Sequence, residues 1–115
     1  VMGDVNSVIK PLIKRRIFTT EEEAMRELLS DYILRQVMAL RRELGRFERK
    51  YGMHFDRFGV YLHERSVLLE TGSLSPEQRQ TLGQTIMQEE DDWLDWKAAK
   101  EMLESWLGLE QEIVA

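Results

Sequence analysis

Residues 33–52, ILRQVMALRRELGRFERKYG, place apolar side chains at Ile33, Val37, Leu40, Leu44, Phe47 and Tyr51. That spacing alternates between four and three residues, the seam of a coiled coil, and Gly52 is the residue type that ends such a helix. Upstream, Thr20 with Glu23 three positions later forms a capping box. Glu21, Glu22 and Glu23 in the first turn suit the positive end of the helix dipole. A helix over residues 20–51 is about 48 Å long. So small a chain covers such a rod only by folding back on itself or by meeting a second copy. The expected fold is all-α: long helices in a coiled-coil-like antiparallel bundle, completed by homodimerisation through the Ile33–Tyr51 seam.

The rest of the chain also reads as helix, forming a single helical domain over residues 1–115. Val5, Val8, Ile9, Leu12 and Ile13 recur at helical spacing, so a short amphipathic helix is expected near residues 7–16, with Pro11 in its first turn or kinking it. This helix, a turn and the long helix make up residues 7–52. Phe55, Phe58, Leu62 and Leu69 share a face of a third helix within residues 53–72. Ser75 followed by Pro76 is an N-cap with proline at the first helical position, opening a loop-and-short-helix segment over residues 73–90.

The last segment contains EEDDWLDWKAAKEMLESW, residues 89–106. Four consecutive acids suit a helix start, so a separate acidic helix is expected over residues 91–113. Trp96, Ala99, Leu103, Trp106 and Ile113 fall on one stripe and are expected to pack. Trp93 lies about 60° off that stripe and one turn before Lys97. It is therefore the expected contact residue for a partner, together with Glu89, Glu90, Asp91 and Asp92. A helix unbroken from residue 76 to 113 would instead draw Leu82, Ile86 and Trp93 into the packed seam.

Net charge is −5, unevenly spread: residues 1–66 hold 13 basic against 10 acidic residues, whereas residues 67–115 hold 3 against 11. Such polarity suits a basic partner for the second half, or pairing between the halves of two copies; its bland counterpart is a solvated acidic face. The chain has no cysteine, which fits a reducing cytoplasm. No signal-peptide core is expected ahead of the domain, and apolar runs such as Val37–Leu40 and Val67–Leu69 are far too short to span a membrane.

Catalytic signatures are absent from the sequence. His54 and His63 lie about 180° apart on a shared helix and cannot join in one metal site. No Glu-x-x-His pair, Gly-rich phosphate loop or nucleophile elbow occurs. The chain is expected to be no enzyme and to need no metal or cofactor. Two basic groups are candidate phosphate contacts: Lys10, Lys14, Arg15 and Arg16, and a ridge of Arg35, Arg42, Arg46 and Arg49 opposite the seam. Without interleaved aromatic side chains, and with Glu43 and Glu48 diluting the ridge, nucleic-acid binding is expected to be weak.

Two stretches carry a family resemblance. VIKPLIKRRIFTTEEEAMRELLSDYI, residues 8–33, is similar to the helix–turn–helix of ribbon–helix–helix antitoxins. RRELGRFERKYGMHFDRF, residues 41–58, resembles the FE-x-KYGM-x-F-x-x-F signature of TumA-type antitoxins, which also end in an acidic segment and a tryptophan-bearing helix like residues 89–106. The resemblance implies a non-catalytic protein that sequesters a co-expressed toxin of the TumE type. The residues ahead of the first helix carry no pattern of a DNA-reading ribbon strand, so operator binding is not expected. Two further readings stay open: a structural helical dimer or adaptor with no toxin, and a DNA-binding transcriptional regulator.

Overall fold

The computed structural model describes residues 5–114. Residues 1–4, which include part of the segment ahead of the first helix, lie outside them. The elements are α1 (Val5–Lys14), α2 (Glu21–Tyr51), α3 (Phe55–Thr71) and α4 (Pro76–Val114), and no strand occurs among the described residues. The all-α expectation holds.

The helix ends follow from local hydrogen bonding. The Glu23 amide donates to the Thr20 hydroxyl at 3.0 Å, while the Glu23 carboxylate reaches one residue further back, accepting from the Thr19 amide at 3.2 Å and from the Thr19 hydroxyl. Ser75 and Gln78 form the complete reciprocal box, amide to hydroxyl at 3.1 Å and amide to side-chain oxygen at 3.0 Å, with Pro76 at the first helical position. Gly52 ends α2 at φ +64°, donating its amide to the Glu48 carbonyl at 2.7 Å. Arg16 does the same work after α1 at φ +60°, a left-handed conformation that costs a β-carbon-bearing residue about 1 kcal/mol. Pro11 sits in the second turn of α1, so of the two expected placements the first-turn one does not apply.

The chain divides into two compact units. Unit 1 comprises the residues up to Met38 with those from Ser105 onward; unit 2 is Ala39–Glu104. In unit 1, Ile9, Ala24, Ile33 and Val37 are buried, and the Tyr32 and Trp106 rings meet edge-to-face with centroids 5.8 Å apart.

Unit 2 is built on α4, with the end of α2 and all of α3 packed antiparallel along it, as the pairs Phe47–Trp96, Lys50–Asp92, Phe55–Trp93 and Arg65–Glu89 show. Its core is Phe47, Phe58, Leu62 and Trp96, ringed by Leu44, Tyr51, Met53, Phe55, Tyr61 and Trp93. Trp96 stacks on Phe47 (5.4 Å), lies against Phe58 (5.4 Å) and meets Phe55 edge-on (5.6 Å).

Two expectations are corrected. The segments assigned to a short helix ending near residue 90 and a separate acidic helix from 91 are one continuous helix, α4. Good helix formers run through Met87–Glu90, and no glycine or proline interrupts residues 84–107. The unbroken-helix alternative accordingly applies: Ile86 is buried, and Leu82 and Trp93 are partly so. Nor is the Ile33–Tyr51 seam a face left open for a second copy. Ile33, Val37 and Phe47 are buried within the single chain, and Leu40, Leu44 and Tyr51 are partly covered. In unit 2, α3 and α4 supply that cover. A heptad stripe states that a face is buried, and here the same chain buries it.

Candidate functional site

The acidic run on α4 divides by helical geometry. Residues three apart share a face, so Glu89 and Asp92 turn inward together while Glu90 and Asp91 are carried to the outside. Glu89 is buried and accepts from Arg65 Nη1 at 2.6 Å; that same guanidinium donates to the Tyr61 hydroxyl and lies over the Tyr61 ring. Asp92 accepts from Lys50 Nζ at 2.6 Å and from the Tyr51 hydroxyl. Glu89 and Asp92 therefore hold α2 and α3 to α4 and are removed from the expected partner-binding set. Glu90 and Asp91 remain in it, exposed.

Burial raises the Asp92 carboxyl pKa, but the Lys50 ammonium and Tyr51 hydroxyl outweigh burial and hold it below the usual carboxylate value. Burial, then the hydrogen bond to Asp92, raises the Tyr51 hydroxyl well above the usual tyrosine range. A depressed carboxyl favours the folded state above its unfolded-state value, about 4, and that contribution fades as pH drops below it. Acid melting curves of Asp92→Asn should accordingly be flatter below pH ~4 than those of the parent protein. Parallel curves would show that Asp92 gains no proton-linked stability from Lys50 and Tyr51.

Trp93 has a divided position. Its ring stacks on Phe55 (5.6 Å), and its Nε1 edge lies over Gly59, where an added β-carbon would stand 3.5 Å away. Lys97 sits above the ring at 5.4 Å. One side of Trp93 thus packs with the core, as expected for a helix unbroken from residue 76. The rest walls a shallow cleft between α3 and α4, lined by Gly59, Leu62, His63, Ser66, Glu90 and Leu94. Beside that cleft Met87 (68%) and Leu94 (56%) are exposed, with Met102 following along the helix.

No family model, curated protein or solved structure matches the chain.

The sequence reading passed over Met87, Leu94 and the α3 side of the cleft. Met87 and Leu94 are seven apart and so share a face, but attention to the tryptophan stripe hid a second, outward one. Of the basic residues, Lys10, Lys14 and Arg15 gather around one groove of unit 1 with Ser7 and Glu21, and Arg16 follows them, exposed. The expected ridge is partly neutralised: Arg35 pairs with Asp31 at 3.0 Å and Arg46 with Glu43 at 2.6 Å, while Arg42 and Arg49 are exposed. Among the described residues no group of three or more His, Asp or Glu side chains is placed to hold a metal ion, and no helix is long and apolar enough to cross a membrane.

Proposed function

We propose that this chain is a non-catalytic antitoxin, which binds and neutralises a co-expressed protein toxin of basic surface through the outer face of α4. The observation that carries the reading is that face: exposed Met87 and Leu94 with Glu90 and Asp91 between them, beside the Trp93 cleft. Apolar anchors supply affinity at an interface, and surrounding carboxylates speed encounter with a basic partner and discriminate against others. The resemblance of residues 8–58 and 89–106 to TumA-type antitoxins supports the toxin as the occupant.

The test is co-expression with the neighbouring gene product, scored by growth rescue and by co-purification. Leu94→Glu and the double change Glu90→Lys with Asp91→Lys alter exposed side chains, so each should melt near the parent protein. Both should lose rescue, the charge reversal acting mainly through a slower association rate. Full rescue by both variants overturns the assignment of this face.

A second reading, a structural helical dimer or adaptor, draws on the apolar side chains exposed on unit 1, among them Val8, Ile17 and Met25. Failure to co-purify any toxin while self-association persists would put that reading first.

A further inference from the structure

The first half of α2 carries Met25, Leu28, Leu29 and Tyr32, each 43–53% exposed. Their spacing of three, one and three residues forms one stripe about 100° wide, separate from the buried Ile33 and Val37. These are ordinary core residue types left half-exposed among the described residues, although the Tyr32 ring leans one edge on Trp106. The charges at the two ends of the stripe are opposite. Glu21 and Glu22 precede it, and Arg35 with Gln36 follows it; Glu22 also pairs with Arg26 at 3.1 Å and Arg35 with Asp31 at 3.0 Å along the same helix, exposed pairs of the weak kind that a partner's charge can replace.

We propose that a second copy of this chain docks on the stripe, the two α2 segments running antiparallel about a two-fold axis between Leu28 and Leu29. This pairing is self-complementary. Leu28 meets Leu28 and Leu29 meets Leu29 across the axis, and Met25 of each copy lies against Tyr32 of the other. At both ends the acidic first turn, Glu21 and Glu22, comes beside Arg35 and Gln36 of the opposing helix. A parallel pairing would set Glu21 and Glu22 against themselves and Arg35 against Arg35, and like charges across an interface are repulsive. The charge order therefore selects a second, inverted copy over a parallel one. A standard interface buries about 800 Å² per partner. Four half-exposed side chains per copy fall below that, the size class of weak, reversible contacts.

Sedimentation equilibrium of the full chain tests this. The parent protein should be largely dimeric at about 100 µM, and Leu28→Glu, which changes a half-exposed residue, should be monomeric with its melting temperature nearly unchanged. Arg35→Glu makes both ends repulsive and should raise the dissociation constant about tenfold; Glu21→Arg with Glu22→Arg should do the same. Mixing these two proteins restores opposite charges at both ends, so the mixture should associate within about threefold of the parent. A monomeric parent at that concentration, undiminished dimerisation by Leu28→Glu or Arg35→Glu, or a mixture no tighter than its components would each overturn the proposal. In the first case, the stripe belongs to a different protein.

Discussion

Trp96→Ala should destabilise unit 2 by about 3–5 kcal/mol, the usual cost of removing a fully buried large aromatic side chain. The residue is 1% exposed and holds Phe47, Phe58 and Phe55 in ring contact at 5.4–5.6 Å. Deleting it therefore removes one wall of three aromatic pairs as well as its own buried area. Trp93→Ala is the comparison. That ring is only partly buried, with Phe55 and Gly59 on one side and the cleft on the other, so its loss should cost clearly less. Chemical denaturation with and without partner separates the two roles. Trp96→Ala should fail in stability, and Trp93→Ala should fall between it and the parent in stability while losing partner affinity. Equal destabilisation by the two would make Trp93 a core residue alone and withdraw it from the partner face.

Much of the architecture was legible because it rests on local chemistry. The serine and threonine caps, Pro76 and Gly52 act within four residues of themselves, and the helix ends they mark agree with the structure to within one or two positions. The aromatic stripe of Trp96 was readable too, since helical period alone selects it. What the sequence could not display was which partner covers each face. Ile33, Val37 and Phe47 announce burial, but not what covers them; for Phe47 the cover includes Trp96 of α4, 49 residues further along the chain. The acidic run failed for the same reason. Four carboxylates in a row resemble a capped helix start, and only the positions of Arg65 and Lys50, 24 and 42 residues away, reveal that Glu89 and Asp92 are internal ion-pair partners. Glu90 and Asp91, read with the same signal, do stay on the surface. The outward stripe of Met25, Leu28, Leu29 and Tyr32 was overshadowed by the capping box just before it and the heptads just after it.

Loss of the Arg65 charge should produce the second large effect. Arg65→Met leaves the Glu89 carboxylate, 10% exposed, without its counterion, and breaking a buried pair from one side costs about 3–5 kcal/mol. The geometry also predicts that the pair is not the best occupant of its site. One oxygen, Glu89 Oε2, is buried with no hydrogen-bond partner, so part of the cost of removing that carboxylate from water goes uncompensated. Replacing both residues, Arg65→Met with Glu89→Leu, removes the charges and the unsatisfied oxygen together. The double variant should therefore recover most of what Arg65→Met loses and reach or exceed the parent's stability, as apolar replacements of buried ion pairs often do. Denaturant unfolding of the parent, both single variants and the double gives the coupling energy directly. A double variant as unstable as Arg65→Met alone would show that Arg65 acts through its packing over the Tyr61 ring, 4.9 Å from the centroid, rather than through its charge. A double variant that is stable but gains new partners in co-purification would assign the pair a different task, that of fixing the register of α3 on α4 at the expense of stability.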